Sequence, residues 1–198
     1  MARQTAISIN TIPIGPLGII GMPGCEELTD KIDKYLVKWR RTQASEHAES
    51  IAFFGYQRDT YKIDVSIPRF GSGEGKGVIN ESVRGYDIYI VCDVFNYSCS
   101  YDMYGRKVYM SPDDHFADLK RVISALCSKP KRVSVIMPML YEGRQHKRSS
   151  RESLDCAMAL KELVHLGVEN IITFDAHDQR VQNAIPDKSF ENVMPTYQ

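Results

Sequence analysis

The feature that most constrains this chain is an alternation in its second half. Residues 133–137 and 170–174 are short, nearly continuous apolar runs, and the segments around them carry helical spacing. Residues 113–126 place Phe116, Leu119, Val122, Ile123 and Leu126 on one helix face. Residues 150–166 read as a second helix, opened by serines able to cap it and stopped before Gly167. Strands apolar on both faces, alternating with amphipathic helices, indicate an α/β fold built on a parallel sheet. Right-handed crossovers then put the loop after Met137 and the tip at Asp175 on one sheet edge, the carboxyl edge where such sheets bind ligands.

The first half fits the same plan less tightly. Residues 17–20 form a strand candidate, 21–24 a turn, and 25–41 a helix. In that helix Leu28, Ile32, Tyr35, Leu36 and Trp39 recur at helical spacing, with Glu26 and Glu27 near its positive end. Strands are expected at 50–54 and 62–67. The glycine-rich stretch 70–77, followed by Val78 and Ile79, predicts a hairpin. Residues 86–94 are the strongest strand of this half. Residues 96–112, polar and tyrosine-rich with a Tyr104-Gly105 turn signal, read as a long loop or insertion.

At 198 residues and 43% hydrophobic content, one domain with a proper core is expected. Lys plus Arg total 25 and Asp plus Glu total 25, so no global basic field draws nucleic acid, and any anion site must be local. The five cysteines are odd in number and scattered without a Cys-x-x-Cys pair, and three of them sit in apolar surroundings, which reads as buried thiols in a reducing compartment. No run reaches membrane-spanning length and residues 1–20 lack a signal-peptide core, so a cytoplasmic protein is expected.

The local anion site is plain. In residues 144–151, five of eight are His, Lys or Arg. Arg144, Lys147, Arg148 and Arg151 can neutralise phosphates, and arginine's planar fork matches two phosphate oxygens. Gln145 adds a neutral donor and acceptor, and Gly143 lets the backbone bend close to a ligand. Asp175 and His177, one residue apart, point to the same side if the segment is extended. Magnesium is often held by one or two carboxylates with substrate phosphates, which suits Asp175, while His177 can ligate metal or bond a phosphate oxygen. Asp178 adds a further carboxylate. Phe70, Ser72, Gly73 and Glu74 offer a face for a planar base with polar groups beside it. Taken singly, each group has a plainer reading: a solvated basic loop, a strand-end Asp capping nearby backbone, an ordinary hairpin turn.

Together the motifs resemble the N-terminal half of the ribose-phosphate pyrophosphokinases, or PRPP synthetases. The carriers, in order, are Arg69-Phe-Gly-Ser-Gly-Glu74, Glu81-Ser-Val-Arg-Gly85, Tyr141-Glu-Gly-Arg-Gln145, Ser150-Arg-Glu152 and Phe174-Asp-Ala-His177. The resemblance implies a phosphoribosyltransferase-like domain, helices on both sheet faces and a β-hairpin extension. It also implies transfer of diphosphate from ATP to ribose 5-phosphate with magnesium, making PRPP for nucleotide biosynthesis in a cytoplasmic homo-oligomer, often a hexamer. By this resemblance Arg144 and Gln145 bind ATP, His177 and Asp175 meet magnesium and phosphates, and Phe70, Ser72 and Glu74 hold adenine for an adjacent subunit. The chain departs from the family pattern at Ser72 and His146, where aspartate is usual, at Ser153, where proline is usual, and at Asp178, where a small apolar residue is commoner. The acidic segment and Thr-Gly-Gly-Thr-like loop of the family's ribose 5-phosphate site have no counterpart. The expectation is therefore a single N-terminal domain over 1–198, inactive alone, with the acceptor domain and catalytic lysine region elsewhere. The alternative is a non-catalytic regulatory or assembly subunit.

Overall fold

The computed structural model describes residues 13–46 and 57–196. The strand expected at 50–54 lies outside these residues. Five parallel strands form one sheet in the order β1 (Leu17–Gly21), β4 (Asp87–Val91), β7 (Arg132–Met137), β8 (Asn170–Phe174), β9 (Ser189–Val193). Beside β1, residues 61–63 run parallel: the Ile19 N–H donates to Tyr61 O and the Ile63 N–H to Ile19 O, each at 2.8 Å. Helix α1 (Glu26–Glu46) covers one face, where Ile32, Leu36 and Val37 meet Ile19, Tyr61 and Val91. Helices α2 (Pro112–Ala125) and α3 (Asp155–His165) cover the other, packing Phe116, Leu119, Val122, Leu160 and Leu163 on Ile20, Ile88, Ile90, Val133 and Val135. The α/β prediction, with helices on both faces, holds. Among the described residues no helix is long and apolar enough to cross a membrane.

The local reasons are visible in α2. Ser111 Oγ accepts from the Asp114 N–H, Asp114 Oδ2 accepts from the Ser111 N–H at 2.9 Å, and Pro112 occupies the first turn, a capping box with a pre-set start. The face predicted for this helix is the buried one, Leu126 just beyond it included. Cys25, Cys92 and Cys156 are buried, and burial pushes the thiols of Cys25 and Cys156 up to about 11, where they are inert at neutral pH.

The glycine-rich hairpin also forms. Strands β2 (Val65–Ser66) and β3 (Val78–Ile79) pair antiparallel, and Arg69 bridges Gly75 around a turn in which Gly73 takes φ +92°. Gly77 passes so close to α2 that an added Cβ would lie 2.6 Å from the Arg121 carbonyl oxygen. Gly77→Ala should therefore cost about 1–3 kcal/mol, read by urea denaturation; an unchanged midpoint would show that the hairpin simply swings away.

Three expectations need correction. Residues 96–112 are not an irregular loop: β5 (Ser100–Met103) and β6 (Arg106–Tyr109) form a hairpin turning at Tyr104-Gly105. Helix α3 starts at Asp155 rather than among the serines at 149–150. Its N-cap, Leu154, has no polar side chain to cap with; upstream, the Ser150 hydroxyl and the Ser149 backbone N–H both donate to Glu152. Beyond β8 the chain adds a 3₁₀ helix (Gln179–Ala184) and the edge strand β9, neither of which was expected.

Candidate functional site

Strands β7 and β8 are neighbours, so their carboxyl ends share one crevice. An open cleft of about 770 Å³ lies there, and its lining includes Arg144, Asp175 and His177. Each wall is fixed by a different device. After β7, Tyr141 stacks on Phe116 of α2 with ring centroids 4.3 Å apart, and its hydroxyl donates to Asp113 Oδ1 at 2.7 Å. Burial and the Asp113 carboxylate push the Tyr141 phenol well up, so it remains a donor. Glu142 takes φ +54° to make the tight turn into the cationic loop. Gly143 is buried in that turn, where a Cβ would meet Leu140 O at 3.1 Å, and it is part of the cleft lining.

The opposite wall is the β8 tip. Asp175 has φ +47°, so the Asp–Ala–His segment is not the extended one expected, yet both side chains still line the cleft. The Asp175 N–H donates to Val193 O at 3.0 Å and the Ala176 N–H to Asn192 Oδ1 at 2.9 Å, so edge strand β9 holds the bend. A non-glycine residue held left-handed at an exposed strand end is strain of the kind found at binding sites.

Electrostatically the loop is unbalanced. Arg144, Lys147, Arg148 and Arg151 make no ion pair among the described residues. Nearby, burial with the Asp155 and Asp113 charges raises the Glu142 carboxyl. Asp178 is already engaged: Arg180 side-chain and backbone hydrogen bonds hold its carboxyl well below the usual range, and His146 Nε2 lies 3.3 Å away. Four like charges thus lie within eight residues, of which Arg144 alone lines the cleft.

Other expected site residues lie differently. Gln145 turns into its own loop, donating to Ser153 O at 2.7 Å, instead of facing the cleft. Lys147, Arg148 and Arg151 are exposed but outside the cleft lining. Phe70, Ser72, Gly73 and Glu74 are not in the cleft either. Their turn is pinned to α2 through Arg69–Asp118 and to the β5–β6 hairpin, where Tyr104 N–H donates to Gly71 O at 2.9 Å. Ser72 Oγ donates to Glu74 Oε2 at 2.7 Å, and Phe70 stands exposed. Phe95, Tyr97 and Met139 line the cleft and were missed. Phe95 and Tyr97 follow β4, a neighbour of β7, so their place on the same edge was available to the crossover argument.

Residues 17–167 match the family model for the N-terminal domain of ribose phosphate pyrophosphokinase. Ribose-phosphate pyrophosphokinase 1 of Schizosaccharomyces pombe is 28% identical over 138 residues, covering 69% of this chain and 30% of the relative. A ribose-phosphate pyrophosphokinase of Vibrio parahaemolyticus is 26% identical over 136 residues, covering 67% and 38%. The matches thus span about a third of these curated relatives' length. The crystal structure of phosphoribosylpyrophosphate synthetase from Mycobacterium smegmatis superposes with a TM-score of 0.64 at 19% identity, covering 90% of this chain and 48% of that one, and supports the fold.

Proposed function

Since the chain belongs to the family of N-terminal domains of ribose phosphate pyrophosphokinase, we propose that its cleft binds the polyphosphate of ATP, as the nucleotide side of diphosphate transfer to ribose 5-phosphate. The observation that carries this is that Arg144, which has no ion-pair partner among the described residues, lines one cleft with Asp175 and His177. In phosphoryl transfer the protein mostly positions groups and stabilises charge. Arg144 would clamp phosphate oxygens from inside the cleft, and Lys147, Arg148 and Arg151 would close over them from its rim.

Magnesium fits this donor set in part. Among the described residues no three His, Cys, Asp or Glu side chains cluster closely enough to hold a metal. Asp175 and His177 provide two donors, which suits an ion whose remaining ligands are phosphate oxygens and water. Bound there, magnesium would supply neutralisation of phosphate charge. Phe70, Ser72 and Glu74 lie outside the cleft, so in this reading the turn would serve the base of a nucleotide bound by a neighbouring copy in a homo-oligomer. Serine at position 72, whose hydroxyl donor is spent on Glu74, motivates the second reading: a regulatory or assembly subunit of the same type, without catalysis.

Calorimetric titration with magnesium-ATP tests the proposal. Binding is expected, weakened about ten- to a hundredfold by Arg144→Ala or His177→Ala, since hydrogen bonds to charged groups contribute about 1.5–3 kcal/mol. No saturable binding by the unsubstituted chain would reject the nucleotide role and leave the assembly reading.

A further inference from the structure

We propose that His146 and Asp178 are positioning residues: they staple the cationic loop to the β8 tip, so that Arg144 and His177 face one polyphosphate. This rests on the reading of the cleft given above. His146 Nε2 lies 3.3 Å from Asp178 Oδ2, with the two side chains only 11% and 14% exposed, whereas Arg144, Lys147 and Arg148 beside them are exposed. The other ring nitrogen, Nδ1, lies in hydrogen-bond reach of the Arg144 carbonyl oxygen at 3.2 Å, while the approach to Asp178 is a close ion-pair contact, so the ring sits between the backbone of the residue that lines the cleft and the opposite wall. The same ring meets His177 edge-on, with centroids 5.1 Å apart. Asp178 is itself held. Its Oδ1 accepts from the Arg180 N–H at 2.8 Å, capping the 3₁₀ helix, and its Oδ2 accepts from Arg180 Nη2 at 2.6 Å.

No other side-chain hydrogen bond or ion pair joins these two segments among the described residues; below them only the Phe174 N–H reaches Pro138 O, at 3.3 Å. The staple opposes a real force, because unpaired like charges in one loop repel and spread it. Holding the loop in place removes part of the ordering cost that a ligand would otherwise meet.

The electrostatic sign makes the idea testable. By Coulomb attraction alone, deleting a carboxylate beside an anion site strengthens anion binding. Positioning predicts the reverse. With magnesium and inorganic tripolyphosphate as probe, Asp178→Ala and His146→Ala should each weaken binding about tenfold, and the double variant no further, since both remove one tether. Arg180→Ala, which leaves the His146–Asp178 contact in place, should stay near the unsubstituted chain. In the ligand-free chain, amide hydrogen exchange across 145–150 should quicken about tenfold in both alanine variants and not in Arg180→Ala. His146→Ala touches no cap, so it reads the tether even if Asp178→Ala folds poorly. Unchanged exchange would overturn the staple whether or not any nucleotide binds. Quickened exchange with equal or tighter tripolyphosphate binding would overturn the positioning role while leaving the nucleotide reading intact. A chain that shows the staple by exchange yet binds no tripolyphosphate would overturn that reading, and the positioning role with it.

Discussion

Replacing Asp118 with alanine should destabilise the chain by about 3–5 kcal/mol, the usual cost of breaking a buried ion pair from one side. Asp118 is 2% exposed and accepts from Arg69 Nη2 at 2.5 Å and Arg121 Nη1 at 2.6 Å. Arg69 is nearly as buried, 11% exposed, and lies over the Tyr101 ring at 4.4 Å. Its remaining polar contact is Gly73 O at 3.3 Å, so alanine at 118 would strand a guanidinium under the hairpin. Burial raises the Asp118 carboxyl above its ordinary value, by more than hydrogen bonding from Arg121 and the Arg69 charge lower it. A native carboxyl that keeps its proton more tightly than the unfolded chain contributes stability below the ordinary carboxylate range, lost as pH rises through the raised value. Asp118→Asn keeps the shape without the charge and removes that slope, so it should cost less than alanine. The paired change Arg69→Met with Asp118→Leu should cost less still, because no charge is left buried. Urea denaturation gives the stabilities. Hydrogen exchange at 70–75 should rise in Asp118→Ala, since Arg69 anchors that turn to α2. A loss under about 1 kcal/mol would mean that the pair behaves as an exposed one.

The sequence made the sheet edge legible because the relevant signals are local. Helix faces, apolar strands and crossover handedness suffice to bring Arg144, Asp175 and His177 to one crevice. What it hid depends on partners far along the chain. The hairpin at 96–112 is settled by Tyr101 under Arg69 and by Tyr104 against Gly71, neither of which periodicity reports. At the late start of α3, the Ser150 hydroxyl is turned to Glu152, a partner that periodicity does not report. Gln145 looked like a ligand group because amides suit phosphates, yet Ser153 O claims it. His146 and Asp178 stood out separately as departures from a family pattern. Their contact lies across the β7–α3–β8 crossover, and only the folded chain shows that the departures meet.

Arg144→Glu should lower affinity for magnesium-ATP by two to four orders of magnitude while leaving the melting temperature nearly unchanged. Arg144 is exposed and without an ion-pair partner among the described residues, so the folded chain loses little. Truncation removes about 1.5–3 kcal/mol of charge-assisted bonding, and reversal roughly doubles this by turning attraction into repulsion at the same distance. The cleft is open to solvent, so the difference between the chains should shrink as salt rises and the Debye length falls below about 10 Å. Lys147, Arg148 and Arg151 give the internal comparison. They lie outside the cleft lining, so reversing any one of them should cost less than reversing Arg144. If Arg144→Glu weakened binding by less than tenfold while Arg148→Glu abolished it, the phosphates would sit on the outer face of the loop. The cleft with Asp175 and His177 would then not be where the nucleotide binds.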